Sequence, residues 1–216
     1  MLLIWGFKIR SKLLSDHTFF CPGCGGDRSG RLLAARRWFT FFWIPLIPLK
    51  QVGEYVACDT CHGHFEAAVL DLPTTATLGG MITNATHALT LMMVRMADTV
   101  SPELQAHALR DLRGIIASYD ELTLHREVAQ IDTTLAEQYV APLADGLEVT
   151  GKERMMADLV RTGLADGNLS ADQRHLIDRV GRGLGLTPAH ITGIVANVAA
   201  AGTPPTPHQD DIAPSA

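Results

Sequence analysis

The spacing of apolar residues changes once along the chain, close to residue 80. Before that point, short apolar segments bounded by glycine, proline and polar residues predict strands. These predicted strands cover residues 17–20, 54–57 and 65–70. After it, apolar residues recur at steps of three and four, as in Ile82, Ala85 and Leu89, which is the period of an amphipathic helix. The pattern predicts an α+β chain, with a small β module followed by an all-α helical bundle.

Capping residues mark where the helices of the second part begin, because Ser and Thr side chains accept hydrogen bonds from the first backbone N–H groups of a helix. The predicted starts are Ser101-Pro102, Thr150 with Glu153, Ser170 with Gln173, and Thr187-Pro188. Further helices are predicted over 122–132 and 134–144. Gly185 predicts a helix end before the last start.

Small and polar residues separate the two parts. Residues 72–80 offer few side chains for packing and predict a linker. The predicted organisation is therefore a β module over 1–71, a helical domain over 81–200, and a proline-containing disordered tail over 201–216.

The four cysteines of the chain form two CxxC pairs, Cys21 with Cys24 and Cys58 with Cys61. A two-residue spacer lets one tight turn direct both thiolates to one point, and two such turns supply the four sulfur ligands of tetrahedral Zn²⁺. Four sulfur ligands favour zinc and close its coordination shell, so the sequence predicts a structural ion without chemistry of its own. The nearby His62 and His64 are alternative ligands, but four cysteines already saturate the metal. Disulfide pairing would need an oxidising compartment, which nothing else in the sequence indicates.

Charge is distributed unevenly. Residues 1–71 carry 8 Lys/Arg and 6 Asp/Glu, whereas the remainder carries 10 and 17. An acidic second part argues against nucleic acid binding over the whole surface and leaves the β module as the candidate for it. The apolar start of the chain lacks a basic leading region and is interrupted by Lys8 and Arg10, which argues against a signal peptide. We expect a cytoplasmic protein, with peripheral membrane contact as an alternative.

The apolar and aromatic run over 38–49 has two interpretations. It is too short to span a bilayer, and its two prolines exclude a regular helix and favour an edge strand. In the first interpretation the run is a central strand of the β module, packed on Leu3, Ile4, Trp5 and Phe7. In the second it is an interaction surface for a membrane or a partner groove. The residues of that surface are Arg36, Arg37, Trp38, Phe42 and Trp43.

A third interpretation concerns nucleic acid. A cluster of arginines beside an aromatic side chain is typical of surfaces that bind single strands. The candidate residues are Arg28, Arg31, Arg36, Arg37 and Trp38.

Residues from about 1 to 70 resemble a zinc-ribbon family found in fungi and bacteria. The resemblance lies in the Ile-Trp-Gly start, the Cys-Pro-Gly-Cys turn, the run Trp-Phe-Thr-Phe-Phe-Trp-Ile-Pro-Leu-Ile-Pro-Leu and the final CxxC pair. It implies a zinc-bound ribbon and gives little indication of biochemical activity.

Residues from about 80 to 199 resemble the TerB-like tellurite-resistance domain, through Leu-Ala-Asp-Gly-Asn-Leu-Ser-Ala-Asp-Gln and the later Leu-Gly-Leu-Thr-Pro. The resemblance implies an all-helical domain in stress and metal-resistance systems, with an acidic surface that binds Ca²⁺ or Mg²⁺ weakly. The implied residues are Asp98, Glu103, Asp166 and Asp172. Helix termination and capping explain the same residues without a cation.

Sequence motifs for catalysis are missing. The chain has no phosphate-binding loop, no GxSxG turn and no HExxH pair. We therefore expect a non-enzymatic interaction scaffold that binds a partner protein, in a stress response of the tellurite-resistance type.

Overall fold

The computed structural model describes residues 5–41 and 44–202 of the chain. The chain divides after Gly80 into two compact units. The first holds an antiparallel four-stranded sheet and the second holds helices, so the predicted α+β class is confirmed. None of the described helices combines the length and the apolarity that crossing a membrane requires.

Long strands make up the sheet, in the order β1-β2-β3-β4. The strands are β1 (Trp5–Cys21), β2 (Gly26–Phe41), β3 (Ile44–Cys58) and β4 (His64–Glu66). The first three contain 17, 16 and 15 residues, so the predicted strands at 17–20 and 54–57 are only their metal-side ends. The predicted strand over 65–70 is wrong beyond Glu66, where the chain forms a 3-10 helix (Ala67–Asp71).

The described residues of the aromatic run, 38–41 and 44–49, lie at the ends of β2 and β3 farthest from the cysteines. β3 is an edge strand there, because β4 pairs only with residues 55–57. The prediction of an extended edge segment is therefore confirmed for residues 44–49, whereas residues 38–41 lie on the central strand β2. Proline suits this edge because it has no N–H to donate to a further strand.

The first interpretation of the run, a central strand packed on the N-terminal residues, is confirmed in its pairing and wrong in its burial for the described residues. Residues 38–41 lie on β2 between β1 and β3, and the ring centroids of Phe39 and Phe7 are 6.0 Å apart. Ile44 and Ile47 expose 59% and 54% of their surface, and Phe7 exposes 51%. Trp38 and Phe39 are half-buried. Phe42 and Trp43, together with the predicted packing partners Leu3 and Ile4, lie outside the described residues.

The buried core of the first unit lies instead at the cysteine end of the sheet. Its fully buried members are Phe19, Cys21, Val56, Cys58 and Val69. Phe19 covers Gly30 on β2, where an added Cβ would come within 2.5 Å of the Phe19 ring and 2.9 Å of the Ala57 carbonyl oxygen. The close approach of this ring to β2 therefore requires glycine at position 30.

Residues 72–80 do not form the predicted linker, because helix α1 (Thr75–Arg95) begins within them. The first turn of α1 is capped by Asp27, whose carboxylate accepts hydrogen bonds from the N–H groups of Thr75 and Ala76 at 2.7 and 3.2 Å. The bond from Thr75 is the main reason that the pKa of Asp27 lies below its ordinary value. A cap supplied from β2 leaves no local sequence signal, which is why the prediction failed here.

The remaining helices follow in the second unit. They are α2 (Pro102–Ile115), α3 (Glu121–Gln130), α4 (Ala136–Ala144), α5 (Val149–Gly163), α6 (Ala171–Gly183) and α7 (Pro188–Gly202). The helices predicted over 122–132 and 134–144 correspond to α3 and α4, within two residues at each end. The predicted tail over 201–216 lies outside the described residues beyond the end of α7.

Three of the four predicted helix starts carry their caps. The side chains of Ser101, Ser170 and Thr187 each accept a hydrogen bond from the backbone N–H three residues later. The capping box at Thr150 is wrong, because α5 already begins at Val149 and places Thr150 within its first turn. The predicted helix end is confirmed at Gly185, which has a left-handed φ of 76°.

Ser170 also joins two helices. Its hydroxyl donates a hydrogen bond to the Met96 carbonyl oxygen at 2.6 Å while accepting one from the Gln173 N–H at 3.0 Å. The Gln173 amide donates to the Met93 carbonyl oxygen at 3.0 Å. Carbonyl groups at a helix end lack hydrogen-bond partners within the helix. The capping box of α6 therefore also supplies donors to the carbonyls at the end of α1.

We predict that Ser170→Ala destabilises the protein by about 1–2 kcal/mol, because it removes the cap and leaves the partly buried Met96 carbonyl without the Ser170 hydroxyl. Ser101→Ala is the control, since it removes a cap of the same kind, and should cost about 1 kcal/mol or less. Urea unfolding followed by far-ultraviolet circular dichroism measures both. A smaller loss for Ser170→Ala than for Ser101→Ala would contradict the double role of Ser170.

Candidate metal centre

Two turns at the buried end of the sheet present the four cysteines. Cys21 is the last residue of β1 and Cys58 the last residue of β3, so neighbouring strand ends bring the two turns together. Each strand is followed by a tight turn that carries the second cysteine of its pair, Cys24 or Cys61.

The two turns have the same backbone geometry. In the first, the Gly25 N–H donates to the Cys21 carbonyl oxygen at 2.9 Å, and in the second the His62 N–H donates to the Cys58 carbonyl oxygen at 3.0 Å. Gly25 and His62 both adopt a left-handed conformation, with φ of 66° and 56°. A non-glycine residue is uncommon in this region, although His is enriched there several-fold. The conformation of His62 therefore belongs to the turn that positions Cys58 and Cys61.

The sulfur atoms are spaced as a tetrahedral zinc site requires. The Sγ atoms of Cys21 and Cys61 are 3.7 Å apart, those of Cys24 and Cys58 are 4.0 Å apart, and all four lie within 4.8 Å of one another. Zn–S bonds of about 2.3 Å place the corners of a tetrahedron about 3.8 Å apart. These separations are too long for disulfides, and the four cysteines are free thiols.

Burial and backbone dipoles act on the thiols in opposite directions. Burial raises the pKa of Cys21 and brings that of Cys24 to about 12. Backbone N–H groups, first that of Cys61, lower the pKa of Cys58 to about 6. Cys58 is therefore ionised more readily than Cys21 and Cys24 before metal binding. A zinc ion bound here would hold all four as thiolates, since these are its preferred ligands and metal binding releases their protons.

Phe65 covers the site from the β4 side. An added Cβ at Gly23 would lie 3.4 Å from the Phe65 ring, and one at Gly63 would lie 3.0 Å from the ring and 3.2 Å from the Cys61 sulfur. Both glycines thus allow the ring and the sulfur to approach the turns. The sequence motifs do not indicate this role of Phe65, and its position two residues after Gly63 is the available signal.

The two candidate histidine ligands lie apart from the sulfur cluster. His64 is exposed and its ring lies 4.8 Å from that of Tyr55, measured between centroids. His62 is also exposed. Among residues 5–41 and 44–202, the residues gathered closely enough to bind a metal ion are the four cysteines.

Comparison with protein families agrees with this geometry. Residues 19–78 match a zinc-ribbon family, and the match includes all four cysteines. This segment is similar to a zinc ribbon, and we call the sheet with its two cysteine turns the ribbon. No curated protein and no solved structure matches the chain. The family match ends before most of the segment that resembles the TerB-like domain, so that resemblance stays a prediction.

The acidic residues proposed for a weak Ca²⁺ or Mg²⁺ site do not form a cluster close enough to hold a metal ion within the described chain. Asp166 approaches the junction between α1 and α2 through the Ser101 hydroxyl, which donates to its carboxylate at 3.4 Å. Glu103 and Asp172 lie in the first turns of α2 and α6, where negative charge favours the helix N-terminus. Asp98 is exposed between α1 and α2.

The arginines proposed for nucleic acid do not form one surface. Arg31 pairs with Asp59 at 2.9 Å. Arg36 and Arg37 are consecutive on β2 and point to opposite faces of the sheet. The guanidinium of Arg37 lies over the Phe7 ring, 3.9 Å from its centroid. Arg28 donates to the Asp27 carbonyl oxygen at the metal end.

We predict that the purified protein carries about one zinc ion per chain and that Cys58→Ser removes it, because metal binding and folding of a ribbon are coupled. Elemental analysis measures the zinc, and two-dimensional amide NMR of the full chain should show lost dispersion for the ribbon with the helical signals retained. His64→Ala is the matched control and should keep its zinc. If Cys58→Ser kept its zinc and His64→Ala lost it, His64 would be a metal ligand in place of Cys58.

We predict that Gly25→Ala weakens the ribbon by about 1–2 kcal/mol, because a Cβ is disfavoured in the left-handed region. Nothing lies within 4 Å of the added Cβ, so the effect comes from the backbone alone. Gly53→Ala is the control, since its Cβ also meets no neighbour and its φ is not positive. Transfer of zinc to a chelating dye should be faster for Gly25→Ala and unchanged for Gly53→Ala. Equal rates would show that the turn tolerates a side chain at position 25.

Proposed function

We propose that the protein is a non-enzymatic, zinc-dependent interaction scaffold whose ribbon presents a binding surface on its long strands. The supporting observation is the exposure of apolar side chains on the part of the sheet beyond the metal core. We define this part as the distal sheet, residues 5–14, 33–41 and 44–53. Its exposed large apolar residues are Phe7, Ile9, Leu13, Leu14, Ile44, Ile47, Leu49 and Val52.

This clustering distinguishes the distal sheet from the rest of the described chain, where exposed large apolar residues are scattered over several helices and turns. Single exposed apolar residues are normal, whereas a contiguous apolar patch indicates a binding surface. Strand residues rise by about 3.3 Å each, so the distal sheet extends roughly 30 Å past the core. Strands of that length are not needed to bind the metal.

The metal supports this surface without acting on a substrate. Four thiolate ligands leave zinc no open coordination position for water or substrate, which favours a structural role. The zinc turns join β1 to β2 and end β3, so they set the register from which the distal strands continue. We therefore expect binding to depend on zinc indirectly, through the fold of the ribbon.

The proposal has a second part, which concerns the helical unit: a role in a stress response of the tellurite-resistance type. That part rests on the TerB-like resemblance. The Asp166-Gly167 turn and the capping box at Ser170 adopt the conformations that the quoted motif implies, with φ of 92° at Gly167. Survival of a deletion strain under tellurite and other stresses tests this part separately.

Photo-crosslinking in the source cells tests the interaction surface. A benzophenone amino acid replaces Ile47 on the distal sheet or, as the matched control, the exposed Leu122 on α3. We expect crosslinked adducts of defined mass from position 47 and not from 122, with the position 47 adducts lost when Cys58→Ser is added.

The variant pair Ile9→Ser and Ile47→Ser completes this test. Both side chains are more than half exposed, so the double change should alter the free energy of unfolding by less than about 1 kcal/mol. Loss of adduct formation at unchanged stability supports a binding surface. A large loss of stability would show that these residues pack in a core, and would overturn the proposal.

A further inference from the structure

Charge is segregated within the ribbon. The acidic residues of the segment 1–71 lie toward the metal end, and the one that borders the distal sheet is Glu54, which lies opposite Ala34 in the row of Lys12. The distal sheet itself contains six cationic residues. The cationic residues are Lys8, Arg10, Lys12, Arg36, Arg37 and Lys50. A partner for the distal sheet must therefore offer negative charge.

The strand register sorts these residues onto two faces. Phe7, Phe39 and Ile47 lie opposite one another across three strands, and side chains in such a row point to the same side of the sheet. Ile9 and Leu13 occupy the same side of β1, because they follow Phe7 at even spacing. We call this side the apolar face.

The other side of the distal sheet is cationic. Lys8 lies opposite Trp38, and Arg10 lies opposite Arg36. Lys12 shares this side at even spacing from Lys8 and Arg10. We call it the basic face. A groove of about 460 Å³ lies on it, lined by side chains that include Arg10, Lys12, Arg36 and Trp38.

One occupant has to suit both faces. A nucleic acid would contact the basic face and leave the apolar face in water. A second copy of the chain packed on the apolar face would bring the Arg37 side chains of the two copies toward one another, which like-charge repulsion opposes, and would leave the basic face in water. The surface of an anionic bilayer suits both, because apolar side chains enter the boundary between headgroups and acyl chains while Lys and Arg reach the phosphates.

We propose that the distal sheet binds anionic phospholipid membranes peripherally, with its apolar face in the lipid and its basic face among the headgroups. This inference rests on the proposed interaction function and names the partner of the same surface. Arg37 fits this arrangement, because its side chain lies along the Phe7 ring on the apolar face and can extend to the headgroup level. No part of the chain needs to cross the bilayer.

Vesicle flotation with the zinc-loaded full chain tests the proposal. The protein should float with phosphatidylcholine vesicles that contain about 30% phosphatidylserine and remain unbound with phosphatidylcholine alone, because the leaflet charge attracts the cations. About 0.5 M salt should release most of it, since screening weakens this attraction. Equal flotation with both vesicle types, or none with either, would overturn the proposal.

Two variants test the two faces, each with a matched control on the helical unit. The triple change Arg10→Gln, Lys12→Gln and Arg36→Gln should weaken vesicle affinity by on the order of 100-fold, about fivefold for each cation. Its control removes three exposed arginines from the helices, through Arg110→Gln, Arg154→Gln and Arg174→Gln. The control should leave affinity unchanged, and an equal loss would show that net charge alone is responsible.

The apolar face is tested by Ile9→Ser with Ile47→Ser, which should weaken affinity by about tenfold or more because less apolar surface enters the membrane. Its control is Leu122→Ser with Val149→Ser, two exposed apolar residues of the helical unit. If the apolar variant binds vesicles like the wild type, the apolar face does not contact lipid and the proposed orientation is wrong.

Tryptophan fluorescence gives a local readout, because two of the three tryptophans of the chain, Trp5 and Trp38, belong to the distal strands and none belongs to the helical unit. We expect a blue shift on adding anionic vesicles, and quenching by lipids with brominated acyl chains. Unchanged emission would overturn the proposal.

The alternative partners give different results. Binding of single-stranded RNA that needs Arg10 and Arg36 but not Ile9, without vesicle binding, would make nucleic acid the ligand. A dimer that Ile47→Ser dissociates, again without vesicle binding, would make a second copy the occupant. If vesicles fail but crosslinks from position 47 persist, the interaction function stands and the lipid partner is wrong; if both fail, the distal sheet is not a binding surface.

Discussion

Convergence of four thiolates on one point is the interaction on which the ribbon depends. The strands β1, β2 and β3 are long, but most of the buried apolar residues of their unit lie beside Cys21 and Cys58. A core of that size contributes little stability by itself, and small domains of this kind usually need a metal or disulfides. The two turns share one geometry, with left-handed residues at Gly25 and His62, so either pair of thiolates is presented in the same way.

Sequence predicted the parts of this structure that depend on local chemistry. The CxxC spacing predicts the sulfur cluster because a tight turn fixes both thiolates, and Ser170 with Gln173 predicts a helix start because the capping box is local. The failures involve partners distant in sequence. Asp27 caps α1 from β2, so residues 72–80 resemble a linker although they begin a helix.

The strict alternation of Lys8, Arg10 and Lys12 with Phe7 and Ile9 was an available signal that the sequence analysis passed over. Period-two alternation predicts a strand with two different faces. The basic and apolar faces become visible only when the register with β2 adds Arg36 to one side and Phe39 to the other. Which strands pair, and in what register, is a long-range property that one segment does not encode.

A sheet with open edges is also a template on which further strands can grow. In the distal sheet, β1 forms one edge and the first part of β3 forms the other. The β1 edge carries Lys8, Arg10 and Lys12, and the β3 edge carries Pro45 and Pro48. Charges and prolines on edges oppose strand addition, and hence fibril growth. Apolar side chains can therefore stay exposed on one face of the sheet, while neither the β1 edge nor the β3 edge favours pairing with a strand of another copy.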